Sequence, residues 1–200
     1  MIVGIAGDIC SGKTTVSKEL EKQGAKVFYA DDMVTKLYQN KYIKKKLLAI
    51  FGKKIFETYQ KKDINKWTIN RKKIAKIIFS DNKAKKKLES LIHPLVRRKM
   101  NAFIEKHRDK IIVLDVPLLF ENGLAPLCDR IVFVKSSPKQ ILKRLKERNI
   151  STADYKRRKQ SQLSLKIKLK LSNYIISNTT NTLQDLKFQC KKLYKELEEE

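Results

Sequence analysis

Residues 2–15, "IVGIAGDICSGKTT", constrain the fold more than any other stretch of the chain. The apolar, β-branched run "MIVGIA" predicts a buried strand, and Val16 and Leu20, four residues apart, predict a helix after it. Between them, Gly7-Asp8-Ile9-Cys10-Ser11-Gly12-Lys13-Thr14 fits G-x-x-x-x-G-K-[ST]. The glycines allow backbone angles that turn successive N–H groups inward as a nest for phosphate oxygens. Lys13 reaches the terminal phosphates, the Thr14 hydroxyl is placed to ligate Mg2+, and the helix points its positive end at the anion. With only six glycines in 200 residues, a chance match in this strand–loop–helix setting is rare. The loop implies nucleotide binding and leaves the reaction open.

"AKVFYAD" predicts a second strand ending near Asp31. From 32 to about 108 the pattern is helical and predicts an all-helical insertion, with Ile43, Leu47 and Ile50 on one face and Gly52 as a stop. Ser80 is the expected cap of the next helix, and Pro94 its expected break or the start of its successor. "KIIVLDVPLLFE" has strand character through Leu114, and "DRIVFVKSSP" gives another strand whose turn opens the helix "KQILKRLKERN". "NYIISNTT" reads as a late strand and "TLQDLKFQCKKLYKEL" as an amphipathic helix capped by Thr182. Strands alternating with helices imply an α/β fold with a mostly parallel sheet.

Composition narrows the class. The chain is 42% hydrophobic, has no stretch of roughly 18 uninterrupted apolar residues, and its first residues show no basic run followed by a long apolar one, so a secretory leader is not expected. A cytoplasmic protein with no membrane partner is expected. Cys10, Cys128 and Cys190 form no C-x-x-C pair and are expected to be free thiols. The net charge of +25 suggests an anionic partner, but 37 of the 46 basic residues are lysine. Specific nucleic-acid readout favours the bidentate fork of arginine, so specific nucleic-acid binding is not expected.

Two carboxylates and two arginines are candidates for chemistry. Asp31 follows a strand, where ligand crevices open in parallel sheets, and is either a base for a substrate hydroxyl or a helix N-cap. Asp115 closes "IIVLD" and either positions Mg2+ through water or serves as a strand-end turn residue. Arg144 and Arg148, four apart, share a helical face and either clamp a transferring phosphoryl group or lie on a solvated face. His93 has no second histidine near enough to make a metal pair.

"GDICSGKTT", "VFYAD", "LESLIHPLV", "LDVPLLFENGL", "DRIVFV", "RLKERN" and "IISN" occur in an order that resembles the dephospho-coenzyme A kinases. The resemblance runs from about residue 2 to the end, and "IHPLV" with "LDVPLLFE" are its specific parts. It implies MgATP-dependent phosphorylation of the ribose 3′-hydroxyl of dephospho-coenzyme A, the last step of coenzyme A synthesis. It also implies a nucleoside-monophosphate-kinase-like three-layer architecture: a parallel-sheet core at 1–31, 110–137 and 171–200, a helical substrate-binding subdomain at 32–109, and a lid at 138–170. By position Asp31 matches the catalytic base, Gly7 to Thr15 (Ile9 and Ser11 included) the ATP loop, and Arg144 and Arg148 the lid arginines. His93, Pro94, the segment 115–121 (Asp115, Pro117, Leu118, Leu119 and Phe120 in particular) and Gln162 fall on the substrate side.

The chain departs from the family pattern at four places. Asp8 and Cys10 stand at glycine-like positions of the loop, Tyr29-Ala30-Asp31 replaces D-A-D, and Asn149 follows Arg148 where an acid is common. Asp8 fits the reading if its carboxylate points away from the phosphates. The alternative reading is a basic ATPase of the same loop class that binds nucleic acid. Nothing in the sequence specifies an oligomeric state.

Overall fold

The computed structural model describes residues 1–160, 162–179 and 182–200. Ser161 of the expected lid, and Thr180 and Asn181 of the expected core, lie outside them. In chain order the elements are β1 (Ile2–Gly7), α1 (Lys13–Gln23), β2 (Lys26–Tyr29), α2 (Ala30–Gln39) and α3 (Lys41–Phe51). Then follow β3 (Phe56–Thr58), β4 (Thr68–Ile69), α4 (Arg71–Ser80), α5 (Asn82–Lys106), β5 (Ile112–Asp115) and β6 (Arg130–Lys135). The chain closes with α6 (Pro138–Glu147), α7 (Thr152–Gln160), α8 (Leu165–Lys170), β7 (Tyr174–Ser177) and α9 (Leu183–Glu199). It divides into two compact units, Met1–Tyr29 with Phe103–Glu200, and Ala30–Ala102.

The first unit is built on a five-stranded sheet of order β2-β5-β1-β6-β7, every neighbouring pair parallel. Parallel sheets are covered on both faces, which is why β1 and β5 are near-continuous apolar runs. Val3 and Ile5 pack with Val16 and Leu20 of α1 and with Leu186, Leu193 and Leu197 of α9. Gly4 points to the other face, where an added Cβ would lie 2.7 Å from both Cys128 Sγ and Leu119 Cδ2, so that position has no room for a side chain. Because the strands run one way, Gly7, Asp115, Ser136 and Asn178 all gather at the carboxyl edge of the sheet.

The second unit has its own core of Ile43, Leu47, Phe51, Ile55, Phe56, Trp67, Ile74, Leu88 and Ile92. It is not all-helical: β3 and β4 form a small antiparallel sheet. These strands, of three and two residues, are too short to show a two-residue period. They are held by ring contacts instead, Phe56 to Trp67 at 5.3 Å and Tyr59 to Trp67 at 4.7 Å.

Helix ends differ from the reading in three places. Pro94 lies inside α5, which continues through it; burial of Ala84, Leu88, Ile92 and Met100 along one helix outweighs the missing N–H donor. The cap of α5 is Asp81, whose carboxylate accepts from the Lys83 and Ala84 amides at 2.8 and 3.0 Å, while the Ser80 hydroxyl donates backwards to Lys76 and Ile77. Thr182 precedes α9, yet its hydroxyl pairs with the Asp185 side chain rather than an amide.

Candidate active site

Gly7 to Thr14 wrap from the end of β1 to the first turn of α1. Gly12 has φ +99°, and an added Cβ would sit 2.2 Å from Asn178 Nδ2. Cys10, at φ +60°, holds the left-handed conformation that glycine adopts without cost, which accounts for a glycine-like position there. Asp8 is not among the residues with positive φ, so that position does not require glycine. The Lys13 ammonium donates to the Gly7 and Asp8 carbonyls at 2.9 and 2.8 Å. Ser11 Oγ is fully buried inside the loop, with no hydrogen-bond partner among the described residues.

Arg144 lies beneath this loop. One terminal nitrogen, Nη1, donates to the carbonyls of Cys10 and Ser11 at 3.1 and 3.0 Å and to Ser136 Oγ at 3.2 Å; Nη2 donates to Asn178 Oδ1 at 3.1 Å. Asn178 Nδ2 donates to the Ser11 carbonyl at 2.7 Å. The loop is thus tied to the ends of β6 and β7 by an arginine and an asparagine whose geometry is fixed on both sides. Packing of Cys10 against Ile141 and Leu145 of α6 supports the same junction.

Lys13 and Asp115 belong to the same electrostatic site. Burial lowers the Lys13 pKa below the ordinary lysine value; the Asp115 carboxylate opposes that shift and the Lys168 ammonium adds to it. Lys168 is 2% exposed, pairs with Glu121 at 3.2 Å and donates to Gln162 Oε1 at 3.1 Å. Gln162, Lys168 and Glu121 line a small cavity with Gly7, Lys13, Leu118, Leu119 and Phe120. Leu118 carries a second strained backbone, φ +56°, in the turn after Pro117. A wider cleft of about 370 Å3 opens on the other side of the loop, bordered by Cys10, Gly12, Thr15, Gln140, Arg148 and Leu186 among others.

The first unit therefore brings together Lys13, the loop, Asp115, Pro117 to Phe120, Gln162, Arg144 and Arg148. Asp31, His93 and Pro94 belong to the second unit. Asp31 stands in the first turn of α2, two residues after β2 ends at Tyr29, and the Thr35 hydroxyl donates to its carbonyl at 2.9 Å. His93 and Pro94 are exposed on α5. Ser136 and Lys168 were not singled out from sequence; Glu121 entered only within the segment 115–121, and Asn178 only as the last residue of "IISN". Its place immediately after a parallel strand was a further usable signal for Asn178; Lys168 had none in so lysine-rich a chain.

The dephospho-CoA kinase family matches residues 1–184. The chain belongs to that family. It is 37% identical over 187 residues to a dephospho-CoA kinase of Fusobacterium nucleatum, covering 93% of each chain. It is 35% identical over 199 residues to one from Leptospira interrogans, covering 98% of this chain and 92% of the relative. Among solved structures, the dephospho-CoA kinase of Campylobacter jejuni superposes with a TM-score of 0.67 at 27% identity, over 98% of this chain and 96% of the other. A shikimate kinase of Acinetobacter baumannii, at 12% identity and TM-score 0.53, shares the fold. Family membership favours a kinase over a nucleic-acid-responsive ATPase. No helix among the described residues is long and apolar enough to cross a membrane.

Proposed function

We propose that this chain transfers the γ-phosphoryl group of ATP directly to the ribose 3′-hydroxyl of dephospho-CoA, giving coenzyme A and ADP. The observation that carries the reading is the loop itself: a half-buried ammonium bonded to loop carbonyls, an orphaned buried hydroxyl and a glycine-lined nest, in a chain of the dephospho-CoA kinase family. ATP phosphates occupy the loop with Lys13 and Ser11, and the neighbouring cleft takes the nucleoside against Thr15, Gln140 and Leu186. Arg144 positions the loop from below, and Arg148, exposed at the end of α6, contributes charge at the cleft.

The Thr14 hydroxyl and, through water, the Asp115 carboxylate would hold Mg2+, which supplies neutralisation of charge on the phosphate oxygens. That mode needs no cluster of three ligating side chains, and no group of three or more His, Cys, Asp or Glu placed to hold a metal ion is found among the described residues. Asp31 accepts the proton of the 3′-hydroxyl as that oxygen attacks the γ-phosphorus; the bond to the bridging oxygen breaks and ADP leaves with its electron pair. His93 and Pro94, the turn Pro117 to Phe120 and Gln162 contribute to the acceptor side. Residues 138–170 act as the lid, with α7, which buries none of its residues, as the part that moves.

The test is ADP release from MgATP with and without dephospho-CoA, run beside a panel of nucleosides and an oligonucleotide. Release that depends on dephospho-CoA is expected. Release independent of any acceptor, or dependent on another member of the panel, would overturn the substrate assignment.

A further inference from the structure

We propose that Arg71 binds the 5′-diphosphate of the acceptor and so determines which acceptors are phosphorylated; the inference rests on the function proposed above. Thr35 lies one helical turn beyond Asp31 on α2, and its hydroxyl, which donates to the Asp31 carbonyl, accepts a hydrogen bond from Arg71 Nη1 at 2.8 Å. Arg71 opens α4, whose start is fixed by Asn70 Oδ1 accepting from the Lys73 amide at 3.0 Å. Its charge also reaches Tyr38, whose hydroxyl pKa is raised by burial against the pull of this guanidinium. Asp31, Thr35 and Tyr38 stand at i, i+4 and i+7, one face of α2. The guanidinium is therefore laid along the helix face that begins with the proposed base.

The chemistry of the acceptor matches that spacing. In dephospho-CoA the 3′-oxygen and the 5′-phosphate are separated only by C3′, C4′, C5′ and O5′. A 3′-hydroxyl held at Asp31 therefore places the first phosphate about one helical turn, ~5.4 Å, away. An exposed planar fork with five donors, one nitrogen of which serves Thr35, suits a diphosphate. The nearby Lys73 is committed elsewhere, to the Phe56 carbonyl at 3.1 Å and to Glu57 at 3.6 Å. Adenosine presents the same 3′-hydroxyl without the phosphates, so it lacks this contact.

The experiment uses the full chain as wild type, Arg71→Gln and Arg71→Lys, with saturating MgATP. The KM for dephospho-CoA and the inhibition constant of adenosine against it are measured. Loss of a charge-assisted contact predicts a KM raised roughly 10- to 100-fold in Arg71→Gln and partly restored in Arg71→Lys, with the KM for ATP unchanged. Adenosine inhibition should stay within about twofold, because adenosine never met Arg71. An unchanged KM in Arg71→Gln overturns the proposal alone. A parallel loss for dephospho-CoA and adenosine, with a lowered melting temperature, also overturns it, in favour of a merely structural arginine. A wild-type protein that makes no coenzyme A removes the reading beneath it, and the proposal falls with that reading.

Discussion

At Gly12 a left-handed backbone and a close neighbour act together. Asn178, which an added Cβ would strike, is buried and bonded to Ser11 and Arg144, so it has nowhere to go. Gly12→Ala is expected to cost at least about 2 kcal/mol of stability and to weaken ATP binding; urea unfolding and nucleotide titration measure the two. Lys13 gives a pH dependence whose sign follows from burial. Its protonated form attracts the phosphates, so binding holds below the pKa of the ligand-free protein and weakens as pH rises through it. Burial places that pKa below the ordinary 10.5, so ATP affinity should begin to fall at a lower pH than a free lysine would give. Titration of the dissociation constant against pH checks this, with Lys13→Ala as the variant in which the dependence disappears.

Among the elements, α5 carries the clearest conflict between local chemistry and packing. Pro94 leaves the Ser90 carbonyl without its helical donor, yet the helix runs from Asn82 to Lys106. Pro94→Ala should therefore stabilise the protein by about 1–3 kcal/mol in denaturant unfolding, and any accompanying loss of turnover would mark the local helix geometry as useful to the acceptor side. The same conflict explains what could be read in advance. The strands of the first unit, the loop and α6 were legible because apolar runs, glycines and the turn "SSP" all point one way; the structure adds that Ser137 caps α6. The β3–β4 pair was not, since five strand residues held by ring packing leave no periodic trace. For Arg144, spacing suggested a clamp on the transferring group or a solvated face, and what it could not show is that the guanidinium bonds the loop's own carbonyls at Cys10 and Ser11.

For the molecule as a whole, a net charge of +25 raises the local concentration of anionic substrates and leaves specificity to particular residues. Cys128 and Cys190, pushed up to about 11 and about 12 by burial, take no part in the proposed chemistry. The two units divide the work in the proposed mechanism: the loop that holds the donor lies in one, and Asp31, the proposed base, in the other. The most direct test follows label from γ-labelled ATP in the presence of dephospho-CoA, comparing wild type with Asp31→Asn. Label should appear on the 3′-oxygen of coenzyme A, and Asp31→Asn should slow its transfer by orders of magnitude while leaving ATP affinity nearly unchanged. Label released as inorganic phosphate by the wild type, or near-normal transfer by Asp31→Asn, would contradict the mechanism.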